Sequence, residues 1–233
     1  MAVIHNTTLT PSKMELLAAW LPAQPWYAGT GHQAEPAKAG GFRLDDPDGE
    51  VGIEFMVVND GAADPVHAYL VPFSYRGAAF DGADDALIGT TEHGVLGKRW
   101  IYDGVHAPVL AGELLALIQG AAEPQAQGIS DTPDRTVTTH FAGTGEPARI
   151  TSVAVVNGPH GTDLNLIVDQ ATGAEPDGGS VPGLTIRIAR VLGPMQEAPS
   201  SLGYVTATWR SPEGTEARGL FAEVLRPDGV ECA

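Results

Sequence analysis

Apolar residues recur along this chain first with a helical period and then with the two-residue period of strands. Met14, Leu17, Ala18 and Leu21 lie at helical spacing, widened by Leu16 and Trp20, and predict a helix over about residues 11–21. Thr10 can cap it with Pro11 in the first turn; Ser12 followed by Glu15 offers a second cap, and Pro22 and Pro25 end the helix. Val51 to Val58 and His67 to Tyr75 read as partly buried strands of an antiparallel meander. A shorter strand at Gly41 to Leu44 precedes the turn chemistry of residues 45–49. Residues 77–98, rich in Gly and Asp, read as a long connection, and Lys98 to Tyr102 as a short extended segment. A second helix is expected from Ala107 or Pro108 to Gln119, with Val109, Leu110, Leu114, Leu117 and Ile118 on its apolar face and Gly120 at the cap position.

Beyond Gly120 the pattern changes. Residues 121–134 have no apolar periodicity and read as a linker. Alternation then predicts strands at Thr136–Phe141, Arg149–Asn157, Asp163–Asp169, Leu184–Val191, Tyr204–Arg210 and Ala217–Leu225, with no further helix. The expected fold class is α+β: predominantly antiparallel β-sheets with two main helices. The expected division is residues 1–120, the linker 121–134 and a β-rich domain at 135–233.

Composition sharpens this reading. Hydrophobic residues at 43% and charged residues at 18% are those of a globular chain, and 29 Gly with 18 Pro demand many turns between short strands. The formal charge is −16, from 29 acidic residues against 13 basic ones, and Lys98-Arg99 is the only basic pair. Phosphate backbones and anionic lipid surfaces are repelled by such a chain, so no nucleic acid and no membrane surface is expected as partner. The single cysteine, Cys232, excludes a disulfide within the chain and a thiolate zinc site. Residues 1–8 lack a charged segment leading into an apolar one, and no apolar run approaches the ~20 residues of a membrane span. The cytoplasm is the expected location.

Several stretches match chemical motifs on paper. Residues 29–34 fit G-x-G-x-x-A, but they follow a proline-rich turn rather than a strand, and Pro36 disfavours the helix that would hold a pyrophosphate. Residues 89–98 have Val95 where a Walker loop needs Lys, and no Ser or Thr follows Lys98. Asp81, Asp84, Asp85, Glu92 and His93 form an acidic cluster; oxygen ligands could hold a divalent cation there, yet EF-hand spacing is absent and a solvated loop explains them as well. Residues 46–50 are explained by a turn. The seven histidines form no H-x-x-x-H pair, and no G-x-S-x-G elbow occurs. No cofactor and no metal are expected. Trp26-Tyr27 and Trp100 with Tyr102 suit stacking on a sugar ring; their large area suits core anchoring better. Trp26, Tyr27, Asp84, Asp85, Glu92 and His93 are therefore the candidate ligand or partner contacts, with no catalytic residue assigned.

Residues 17–29, ending in Trp26-Tyr27-Ala28-Gly29, resemble the opening of the maltokinase N-terminal cap domain, where a short helix leads into an R-W-[FY]-x-G-K type segment. Trp26, Tyr27 and Gly29 fit; Pro25 replaces the basic residue, and Thr30 stands in place of Lys. The meander ending at Tyr69–Tyr75, then Asp103-Gly104, then the helix carrying Leu114-Leu115 follow in a similar order, so the resemblance covers about residues 12–120. It implies a cap-like N-terminal half joined to a β-rich C-terminal half. About 113 residues after Gly120, read as strands, are too few and of the wrong type for a kinase C-lobe, so ATP-dependent phosphorylation of maltose does not carry over. The function this implies is a non-catalytic accessory or sugar-binding protein of maltose, trehalose or glycogen metabolism, with a carbohydrate-metabolism enzyme or a sugar as partner. The alternatives are an enzyme acting on a carbohydrate or small metabolite between the two halves, and a domain that associates only with itself.

Overall fold

A computed structural model describes residues 7–29, 33–62, 65–143, 150–159, 161–168 and 184–225. The chain enters through β1 (Leu9–Thr10) and α1 (Lys13–Trp20), continued by a 3-10 turn at Leu21–Ala23. Thr10 lies in the strand, and Ser12 is the cap: its Oγ accepts from the N–H of Glu15 at 3.3 Å, while the Glu15 carboxylate accepts from the N–H of Ser12 at 2.8 Å. The helix thus begins two residues after its expected start.

The meander follows as β2 (Pro36–Leu44), β3 (Gly52–Asp60) and β4 (His67–Arg76), each antiparallel to the next. β2 starts five residues earlier than alternation suggested, because a bulge between Lys38 and Gly40 breaks its periodicity. Gly41 needs to be glycine: its φ is +117°, and a Cβ would lie 1.9 Å from the carbonyl oxygen of Phe55. Residues 77–98 are not one long connection. Within them lie a 3-10 turn at Asp84–Ala86 and β5 (Leu87–His93), which forms a hairpin with β6 (Gly97–Asp103). Gly89 and its bulge hid the alternation, while Ile88, Thr90 and Thr91 supply the β-branched side chains a strand favours.

α2 (Pro108–Ile118) ends at Gly120, whose φ of +79° closes the helix. Residues 121–134 then lie against the meander: β7 (Gln125–Ala126) pairs with Arg43 and Phe42 of β2. The remaining strands are β8 (Thr138–Phe141), β9 (Ile150–Gly158), β10 (Gly161–Val168), β11 (Thr185–Ile188), β12 (Val191–Leu192), β13 (Gly203–Arg210) and β14 (Glu216–Leu225). The expected ends at Arg149 and Asp169 lie outside the described residues. The segment expected as one strand at 184–191 is two, broken at Ala189-Arg190, where the chain leaves β14 and pairs β12 with the start of β4.

The described residues are mostly antiparallel sheet with two short helices, an α+β arrangement. Its main strand order is β1-β5-β6-β4-β3-β2-β13-β14-β11-β10-β9. Because β11 runs on into β12 and β12 returns to β4, the strands β4, β3, β2, β13, β14 and β11–β12 make a closed circuit. Inside it, Phe42, Phe55, Leu110, Leu114, Ile186 and Phe221 belong to one continuous core, which α2 fills from one side. A second core on the outer face sets Leu17 and Leu21 of the α1 region against Met56, Val58, Tyr69 and Val71. No helix among the described residues is long and apolar enough to cross a membrane.

Candidate functional site

The acidic candidates do not converge. Asp84 and Asp85 are exposed on the turn before β5, whereas Glu92 and His93 occupy its far end, about 20 Å away at the ~3.3 Å rise of a strand. Glu92 is exposed opposite Lys98. His93 shapes the β5–β6 turn: its Nδ1 accepts the N–H groups of Val95 and Leu96 at 3.2 and 3.0 Å.

Trp26 and Tyr27 are brought together with groups that the sequence did not single out. Trp26 is buried, with Trp20 at 5.7 Å and Tyr69 at 5.9 Å between ring centroids and the Arg190 guanidinium 4.9 Å from its ring centre. Tyr27 stacks on Tyr69 at 5.4 Å and donates its hydroxyl to Asp60 at 2.5 Å. Asp60 is fully buried and also accepts from the backbone N–H groups of Glu35 and Ala62. The aromatic segment after α1 is thereby tied to the β3–β4 end of the meander.

A second carboxylate is held in the same way. Glu54, 4% exposed, accepts from Lys13 Nζ at 2.6 Å, Tyr75 Oη at 2.5 Å and Gln127 Nε2 at 3.1 Å. It joins the start of α1, two strands and the segment after α2. Burial, then the charge and hydrogen bond of Glu54, push the Tyr75 hydroxyl well above its ordinary pKa; the residue keeps partial exposure while its hydroxyl end is enclosed. Tyr27 is raised by burial first and by its hydrogen bond to Asp60 second. Both phenols hold their protons more tightly when folded, so the unfolded chain loses protons first as pH rises above about 10. The stability these two phenols contribute is therefore fully present below that pH and is lost above it. Alkaline urea titrations should show this decline, and it should be shallower in Tyr27→Phe/Tyr75→Phe; an unchanged slope would refute the assignment.

Arg190 is also fully buried, at the break between β11 and β12. Its Nη2 donates to Asp103 Oδ2 at 2.6 Å and its Nε to Thr162 Oγ1 at 2.8 Å, while its carbonyl accepts from the N–H of Leu70. One residue thus ties β10 and β6, through its side chain, and β4, through its carbonyl, to Trp26. The sequence carried one signal for it: of the two cations between Ile186 and Leu192, Arg187 alternates with the apolar residues while Arg190 falls in step with Ile186 and Ile188, where a strand facing a core needs either a partner for the charge or an exit to solvent.

A concavity lies elsewhere, at the seam between β2 and β13. These strands pair only at Gly40↔Trp209, so they diverge and leave a cleft of about 470 Å³. Ala39, Gly40 and Gly41 line one wall, and Thr208, Trp209 and Arg210 the other. Asp134 and Thr136 close one end, where Asp134 accepts from both the N–H and the hydroxyl of Thr136, and Glu216 faces in from β14. Glycines on one side and carboxylate, hydroxyl and guanidinium groups on the other suit a small polar molecule. Sequence reasoning missed this cleft because its walls are some 170 positions apart along the chain.

The order of elements through β6, with buried Trp26 and half-buried Tyr27 anchoring the helix to the meander, bears directly on relationship. Residues 20–106 match the maltokinase N-terminal cap domain family. The cap match runs from the end of α1 to just before α2, narrower than the resemblance over about residues 12–120. It contains Trp26, Asp60 and Asp103, whereas Thr162 and Arg190 come from beyond it. No curated protein matches the chain.

Proposed function

We propose that this protein is a non-catalytic cap-like accessory or sugar-binding protein linked to maltose, trehalose or glycogen metabolism. The match of residues 20–106 to the maltokinase cap domain carries the reading, since it ties the segment to carbohydrate metabolism. The cap carboxylates support the non-catalytic part: Asp60, Glu54 and Asp103 are each engaged by Tyr27, by Lys13 and Tyr75, and by Arg190. The seam cleft supports the sugar-binding part, because hydroxyls need both donors and acceptors, and Thr208, Arg210, Asp134 and Glu216 provide both.

Titration calorimetry with maltose, maltotriose and trehalose tests it. Saturable binding is expected, weakened at least about tenfold in Arg210→Ala/Glu216→Ala, a change of ~1.4 kcal/mol. Both side chains are exposed, so the melting temperature should hold. Phosphotransfer from ATP to maltose by the pure protein would sink the non-catalytic reading. If no sugar binds, the accessory role stands only if a pull-down recovers a maltose- or trehalose-acting enzyme. A second reading, an enzyme acting on a carbohydrate or small metabolite, takes its support from the position of the cleft between residues 36–44 and 208–216, with Asp134 and Glu216 as its carboxylates. A hydrolytic or transfer activity abolished by Glu216→Ala would favour it.

A further inference from the structure

We infer that β9 is a docking edge for a second copy of this chain, the two β9 strands pairing antiparallel about a two-fold axis through Ala154. β9 is the last strand of the sheet order and, among the described residues, pairs with β10 alone. The N–H of Leu166 bonds to Leu184, so even-numbered residues of β10 turn their backbone groups toward β11 and odd-numbered ones toward β9. Through the pairs Asp163↔Val156 and Asn165↔Ala154, the even-numbered residues of β9 are the ones bonded to β10. Val153, Val155 and Asn157 therefore direct their N–H and C=O groups to the edge that no described strand covers, a template for another strand.

Proteins that keep such an edge apart protect it with charge, proline or shortness. β9 is nine residues long with neither a charged residue nor a proline, and its one irregularity, a register shift between Ile150 and Ser152, lies at its start and leaves residues 152–158 regular. Its outward side chains Ser152, Ala154 and Val156 are exposed, Val156 by 54%. On the neighbouring strand Asp163 is neutralised by Arg187, which grips both its oxygens at 2.7 and 2.9 Å.

Charge selects the occupant. At −16 two copies repel over most approaches, and a neutral strip is where they can meet. A basic partner finds no uncompensated carboxylate on β9, whereas a second β9 brings an equally neutral, β-branched strand. The axis through Ala154 pairs the regular segment 152–156 of each copy and sets Ser152 against Val156 of the other. Ala154 then faces itself in a non-hydrogen-bonded pair, where Cα atoms approach to about 4.5 Å.

Sedimentation equilibrium of the full chain, from low to high micromolar concentration, should show a monomer–dimer equilibrium. Ala154→Lys, at an exposed position, should keep the native circular dichroism and weaken the dimer at least about tenfold through like charge on the axis. In a Cys232→Ser background, Ala154→Cys should give a disulfide-linked dimer on mild oxidation, and Ser152→Cys should not, since position 152 meets 156. A monomer at every concentration, a dimer indifferent to Ala154→Lys, or equal cross-linking at 152 and 154 would each overturn the inference.

Discussion

Asp103→Ala is expected to lower the unfolding free energy by about 3–5 kcal/mol, because it leaves the Arg190 guanidinium charged, fully buried and without its carboxylate. The Asp103 side chain is only 5% exposed, so water cannot take its place without opening the structure. A domain is typically stable by about 5–15 kcal/mol, so the variant would approach the threshold of folding. Urea titration followed by circular dichroism gives the number, and a loss below about 1 kcal/mol would contradict the buried-pair account. A structural loss of any kind would also destabilise, so a second variant is needed. Arg190→Met/Asp103→Leu removes both charges, and should recover a large part of what Asp103→Ala loses, since uncompensated charge rather than lost contact is the main cost. Asp103 and Arg190 lie on either side of residues 121–134, so the fluorescence of Trp26, which touches Arg190, should report the same transition as the sheet signal.

Trp26→Ala should cost about 3–5 kcal/mol, the loss of a large buried aromatic, and should leave binding at the seam cleft unchanged. The ring is 3% exposed and is surrounded by Trp20, Tyr69 and Arg190. Removing it takes the packing from the turn after α1 and uncovers the guanidinium. Trp26→Phe keeps most of the apolar volume and should cost less than half as much. Thermal and urea unfolding measure both variants. A Trp26→Ala protein of wild-type stability that had lost sugar affinity would reverse the assignment, making the ring a binding platform rather than an anchor.

What the sequence determined by itself was local. The capping box Ser12–Glu15, the helical stripe through Leu17 and Leu21, the alternation of β3 and β4 and the glycine ending α2 are all short-range patterns, and each produced the expected element. Local pattern failed where a bulge interrupted it, at Gly40 in β2 and Gly89 in β5, and where one apolar run served two neighbours, as β11 and β12 do. The Trp26-Tyr27 segment was legible as a family signature because its spacing is contiguous; its partners Asp60, Tyr69 and Arg190 were not, since hydrogen bonds and ring contacts over such separations leave no periodic trace. Only the tertiary structure separated Asp84 and Asp85 from Glu92 and His93, by making the residues between them an extended strand. It alone decided that residues 42–118 and 164–224 share a core, and that a single residue pair joins β2 to β13 with a cleft beside it. The physical reason is that side-chain alternation records which face of a strand is buried, while the identity of the neighbouring strand is set by backbone pairing and chain closure, which side-chain pattern does not encode.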